Sequence, residues 1–230
     1  MNTAYHSRTV SAEAQQRLFV RVFSWMFAGL SLTAIISFLL SADPGVVYYL
    51  ASNPILFWGL IIVKLGLVWF LSGRIDRLAV NTATFLFFLY AALNGITLTL
   101  ILAAYAPGVI ITTFFVTAGM FGACALFGYL TKMDMSRFGG IFLMALIGIL
   151  LATLVNLFLK SDGLYWAITY IGVFIFAGLT AYEVWKLKQV DAESIDGTDA
   201  GTKVAIYGAL GLYLSFINMF LFLLRIFGRD

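Results

Sequence analysis

Histidine and cysteine are nearly absent from this chain, with one of each, His6 and Cys124. A single cysteine excludes an internal disulfide and a thiolate metal cluster, and Cys124, set in a long apolar run, reads as a small buried hydrophobe. A single histidine in the polar N-terminal stretch leaves no imidazole metal site or catalytic base. Paired carboxylates, a nucleophile with its base and a phosphate-binding glycine loop are all missing. No enzyme and no cofactor is therefore expected. Charge itself is scarce: 11% of the 230 residues are charged, against about 25% in a soluble domain. No basic helix or aromatic-interleaved basic run occurs, so nucleic acid is not a partner.

What is abundant is apolar surface. The chain is 62% hydrophobic and 17% aromatic, with a mean hydropathy of +0.99. Folded in water it would expose apolar patches far above the few hundred Å² that soluble monomers tolerate, so its solvent is the lipid bilayer. The charges punctuate uncharged runs of about the 20 residues that an α-helix needs to cross the hydrocarbon. Reading run by run predicts seven transmembrane helices at about 19–41, 54–73, 81–104, 108–130, 138–159, 163–186 and 203–227. Asp43-Pro44-Gly45 and Ala106-Pro107-Gly108 break the runs as turns, and Asn53-Pro54 suits an N-cap and first-turn proline. Residues 1–18 read as a polar tail, and 19–230 as a single all-α membrane domain. A β-barrel would show short alternating segments instead. Small residues four apart, Ala118/Gly122, Gly148/Ala152 and Ala177/Ala181, allow close helix packing.

Basic residues set the orientation. With the N-terminus inside, Arg8, Arg17, Arg21, Arg74, Arg77, Lys132, Arg137, Lys186, Lys188 and Lys203 lie on the cytoplasmic side. Only Lys160, Arg225 and Arg229 lie outside. The first eighteen residues lack the apolar core and cleavage site of a secretory signal, so the first helix stays. Compact loops and the lack of a retention signal point to a bacterial inner (plasma) membrane.

Ionisable groups at membrane depth are costly and mark functional sites by default. Three occur: Lys64 near the middle of the second helix, Glu183 near the cytoplasmic end of the sixth and Arg225 near the outer end of the seventh. Lys186, three residues after Glu183, allows a surface pair, and Arg225 suits an interface anchor. Lys64 must snorkel far, meet a carboxylate or lose its proton. Asn94, Thr97, Asn156, Ser215 and Asn218 add polar groups suited to interhelical hydrogen bonds or to lining a path. The segment 189–199 fails the EF-hand spacing, since Ile195 would occupy position five and Asp196 position six. It reads as a solvated loop.

Four segments carry a family resemblance: YAALNGITLT from Tyr90, KMDMSRFGGIFLMALIGILL from Lys132, AYEVWKLK from Ala181 and GLYLSFINMFLFLLRIFG from Gly211. They resemble the Bax inhibitor-1 family, also called the transmembrane Bax-inhibitor-motif family, over nearly the whole chain, most specifically in the last segment. The resemblance implies two three-helix layers around a central C-terminal helix. It also implies a pH-sensitive calcium leak governed by two aspartates that share a proton. Those two positions fall on Glu183 and Ser215, so one carboxylate remains and any calcium held at Glu183 is held weakly. Lys64 stands where relatives often carry an acid able to pair with the basic residue at Arg225. The reading that follows is a passive cation pathway, with Glu183, Ser215 and Asn218 in the ion-pathway or pH-sensing set. Arg74 or Arg77 is expected as a latch, with Lys64, Asn94 and Arg225 in support. The alternative is a non-conducting modulator of another membrane protein, such as a quality-control protease.

Overall fold

The structure, a computed structural model, describes residues 2–228, with side chains described from residue 12 onward. The side chains of His6 and Arg8, and all of Arg229, lie outside the described residues. The described chain forms nine α-helices and one 3-10 turn, and no strand. In order these are α1 (Asn2–Ser41), α2 (Pro44–Ser52), α3 (Pro54–Arg74), the turn Ile75–Arg77, α4 (Val80–Ala104), α5 (Pro107–Leu130), α6 (Phe138–Leu159), α7 (Asp162–Lys188), α8 (Ala192–Ile195) and α9 (Asp199–Phe227). Seven of them are long and apolar enough to cross a membrane.

Three features depart from the sequence expectation. α1 begins far before residue 19, so the backbone of the expected tail is helical. The break after the first crossing is itself a helix, because the Asp43 carboxylate caps α2 by accepting from the Gly45 and Val46 amides at 2.8 and 3.4 Å. The Asn53 side chain does not cap α3; its amide donates back to the Tyr49 carbonyl at 2.7 Å and closes the end of α2. Tyr48 and Tyr49 on this short helix are exposed, as residues at a membrane interface can be.

By its internal contacts the chain divides into two compact units. The first comprises Met1–Ala106 and Asp191–Tyr213, the second Pro107–Val190 and Leu214–Asp230. α9 contributes its first half to one and its second half to the other.

In the first unit α1 packs along α4. The approach is close because glycines stand at the crossing. A Cβ on Gly29 would meet the Phe87 ring at 2.8 Å, and one on Gly95 would meet the Thr33 carbonyl at 2.9 Å. Phe87, with no exposed surface, sits edge-on to Trp25 and Tyr213. Ala205, Ile206, Ala209 and Leu210 of α9, in the same unit, are buried.

The segment after α7 is not a free loop. α8 packs against α1, Ala192 is buried, and Asp196 accepts from Arg17 at 2.8 Å and pairs with Arg21 at 3.2 Å. Charge scarcity hid this clamp from sequence reading, since both arginines looked like topology markers. A pair at this exposure contributes about 0.5–1 kcal/mol. Asp196→Asn in detergent-solubilised protein is therefore expected to raise the rate of proteolytic cleavage within 191–199 by about two- to fivefold per pair lost. An unchanged rate would show that the pairs do not hold the segment.

In the second unit α7 is the hub, packing against both α5 and α6. Its Ile168, Val173, Phe176 and Leu179 form one apolar cluster with Met219, Phe222 and Leu223 of α9. α5 reaches α7 through Gly128, whose added Cβ would collide with the backbone of Ala181. Of the small-residue pairs read from sequence, Ala181 is thus at a close crossing. Gly122 and Gly148 are not: an added Cβ at either meets no atom within 4 Å. No residue of α6 is buried, so Gly148 lies on a lipid-exposed helix. Cys124 is only partly buried, a departure from its reading as core.

Asn156 also differs from its expected bridging role. Its carbonyl accepts from the Lys160 amide at 2.8 Å and its side-chain oxygen from the Ser161 amide at 3.0 Å. It closes α6 around Lys160, which takes the left-handed conformation at φ 47°. At the other end of the unit Lys188 donates to the Tyr129 and Thr131 carbonyls at 2.8 and 3.3 Å, satisfying the free carbonyls at the end of α5.

Candidate functional site

The second unit holds a carboxylate at membrane depth. Glu183 lies on α7, two residues beyond the Gly128 crossing, and Ser215 on the second half of α9. The Ser215 hydroxyl donates to Glu183 Oε2 at 3.0 Å. Ser215 is 1% exposed, and Glu183 is half-buried. The bond joins the two helices by a polar contact, and contributes about 0.5–1.5 kcal/mol with a neutral acid and about 1.5–3 kcal/mol with an ionised one. Lys186 lies one turn further along α7.

Aromatic rings flank this contact along both helices. Phe216, the residue after Ser215, packs edge-on against Phe114 and Phe121 of α5 at 5.8 and 5.5 Å. Tyr182, the residue before Glu183, stacks on Trp185 and touches Phe142 of α6. A Cβ on Gly139 would collide with the Tyr182 hydroxyl.

Of the residues singled out from sequence, the structure brings Glu183 and Ser215 together. Asn218 turns away into its own helix, its amide donating to the Leu214 carbonyl at 2.8 Å. Arg225 lies over the Tyr165 and Phe222 rings at 5.3 Å each. Arg74 is exposed and lies 5.4 Å over Phe70, and Arg77 ends the 3-10 turn, also exposed. Lys64 and Asn94 belong to the first unit. There the Lys64 ammonium donates to Asn94 Oδ1 at 3.0 Å and to Thr97 Oγ1 at 2.8 Å. Sequence reasoning had offered a distant snorkel, a carboxylate or a lost proton, and the structure supplies neutral oxygens. It missed Thr33, Tyr90 and Tyr213, which are buried around the same place. A tyrosine inside an apolar run looks like any other aromatic, and only its neighbours reveal a polar role.

Among the described residues no group of three His, Cys, Asp or Glu could hold a metal ion. One carboxylate and one hydroxyl supply too few oxygens for the six to eight that calcium takes. Any cation at Glu183 would be held weakly.

The sequence profile described as "Inhibitor of apoptosis-promoting Bax1" matches residues 15–230. The chain belongs to the Bax inhibitor-1 family. It is 51% identical over 216 residues to the inner membrane protein YbhL of Escherichia coli K12, covering 93% of this chain and 92% of that one. It is 45% identical over 213 residues to an uncharacterized protein of Deinococcus radiodurans, covering 92% and 90%. A third relative, an uncharacterized protein of Borreliella burgdorferi, is 39% identical over 215 residues, covering 94% and 93%. This Bax inhibitor-1 family member is therefore a polytopic helical protein embedded in the lipid bilayer.

Proposed function

We propose that this family member is an inner-membrane protein, with its N-terminus in the cytoplasm, that allows passive movement of a cation such as calcium and uses Glu183 as its titratable gate. The observation that carries this reading is the Ser215 hydroxyl donating to the Glu183 carboxylate at 3.0 Å between two membrane helices. An ionised Glu183 can only accept hydrogen bonds, whereas a protonated one can also donate. Uptake of one proton thus changes both the charge and the bonding between α7 and α9, which is the kind of local event that biases a switch. Weak oxygen coordination suits a leak, because conduction requires an ion to leave as readily as it enters.

Liposomes holding a calcium-sensitive dye test this. Flux through the wild-type chain is expected to rise as pH falls, as the gate takes up its proton. Glu183→Gln, a neutral stand-in for the protonated acid, is expected to conduct at the low-pH level throughout. A variant whose flux and pH profile match the wild type would rule out the gate.

A second reading is favoured by the hydroxyl at Ser215, which leaves Glu183 as a lone acid. In it the chain conducts nothing and modulates another membrane protein, a quality-control protease being one such partner. Crosslinking in native membranes separates the two: a captured partner with no flux supports the second, and flux with no partner supports the first.

A further inference from the structure

In the second unit, where α7 begins and α9 finishes, a cation stands without an oxygen acceptor. Arg225 occupies the last turn of α9 and is partly buried, with its guanidinium over the Tyr165 and Phe222 rings at 5.3 Å each. Aromatic faces suit a weakly hydrated guanidinium. They offer none of the oxygens that its five N–H groups fit. Among the described residues Arg225 makes no ion pair and no hydrogen bond, and Asp162 at the start of α7 does not pair with it. The Tyr165 phenol beside it has no hydrogen-bond partner among those residues either. Tyr165, Trp166 and Tyr170 follow one another in ring contacts at 5.6 and 5.8 Å, and aromatic residues of this kind gather at the level of lipid headgroups.

From Arg225 toward the middle of the membrane, α9 leaves one strip of its surface open. Between 215 and 224 every residue is buried except Ile217, Asn218 and Leu221. With Leu214 and Arg225, also partly exposed, these follow the i, i+3, i+4, i+7 and i+11 spacing of a single helix face. Asn218 turns its amide back on the Leu214 carbonyl, and the other three below the arginine are aliphatic. Leu214 and Arg225 are eleven residues apart on α9, about 16 Å of helix. Half of a hydrocarbon core of about 30 Å is about 15 Å. One acyl chain fits that length with its head at the arginine.

We infer that Arg225 and the strip from Leu214 to Leu221 form a binding site for one phospholipid of net negative charge. Its phosphodiester takes two guanidinium N–H groups in a bidentate contact, the Tyr165 phenol adds a third donor, and an acyl chain lies along Leu214, Ile217 and Leu221. Net negative charge is favoured because no carboxylate pairs with the guanidinium or stands ready there for the ammonium of a zwitterionic head. An interfacial anchor alone would need the charge but not the strip. The site uses neither Glu183 nor cation flux, so it stands or falls apart from the proposed gate.

Native mass spectrometry of the full chain, released from detergent and titrated with phosphatidylglycerol, tests it. The wild type is expected to bind one phosphatidylglycerol more tightly than any later one, and more tightly than it binds phosphatidylcholine. Arg225→Gln is expected to weaken that first binding by about tenfold or more, as loss of charge-assisted bonds implies. Leu221→Trp, which keeps the arginine and fills the strip, is expected to weaken it as well, and it keeps the test decisive if Arg225→Gln does not fold. Excess inorganic phosphate should leave the lipid in place. Equal affinity in the wild type and both variants, or no preference over phosphatidylcholine, would overturn the site. A loss confined to Arg225→Gln would overturn it too, leaving an interfacial anchor, or a free-anion site if inorganic phosphate displaces the lipid.

Discussion

On the proposed cation pathway, replacing Ser215 by aspartate is expected to change the pH profile of flux from a single step to two. The wild-type contact joins one acid to one hydroxyl at 3.0 Å, so one proton describes its titration. An aspartate at the same place sets a second carboxylate about 4 Å from the first, where two like charges repel by about 4 kcal/mol at an effective dielectric of 20. The pair then holds a shared proton over several pH units and releases it in a separate step, with apparent values that belong to both residues together. Flux would rise by at most about tenfold per pH unit within each step, because one proton binds in each. Ser215→Asn, which keeps a neutral hydrogen-bonding group, should preserve the single step. The measurement is dye-reported flux in liposomes at half-unit pH intervals. A Ser215→Asp profile that overlays the wild type would show that position 215 does not communicate with the proposed gate.

The largest effect on stability is expected from Gly128→Ala. An added Cβ at Gly128 would overlap the Ala181 carbonyl, and because the colliding atoms are backbone, no rotamer change relieves the overlap. α5 and α7 would have to separate two residues away from Glu183. Overpacking of this kind costs about 1–3 kcal/mol, and the separation would also strain the Glu183–Ser215 contact, so unfolding in detergent and flux should both be disturbed. Gly119→Ala on the same helix is the control. A Cβ there meets nothing within 4 Å, and alanine favours a helix over glycine. It is expected to be neutral within about 0.5 kcal/mol. Equal stability of the two variants would mean that α5 and α7 do not pack as closely as described.

How much of this was legible beforehand differs by residue. Lys64 and Glu183 stood out because an ionisable group in an apolar run is conspicuous in any reading. Their partners Asn94, Thr97 and Ser215 were visible only as members of a set of polar residues, not as partners. The family resemblance alone set Ser215 opposite Glu183, and nothing in its local sequence distinguishes it from Thr113, Thr117 or Thr180, which bond back to carbonyls of their own helices. Asn218 and Asn156 show the converse: both looked suited to bridging helices, and both use their side chains locally, one along α9 and the other at the end of α6. A short polar side chain can always reach its own backbone, so sequence leaves the two uses open. The segment 189–199 looked solvated because its composition is polar. Its order comes from Arg17 and Arg21, more than 170 residues earlier.

The chain's composition and the spacing of its charges were enough to determine that it is an all-α membrane protein with seven apolar crossings, because the free energy of placing backbone and side chains in lipid depends on local runs of residues. Which glycine is crowded, which hydroxyl meets the carboxylate and which oxygens meet the Lys64 ammonium were decided only by tertiary structure. Those outcomes depend on the approach of helices distant in the sequence, within distances of about one atom's width, and no local pattern encodes them.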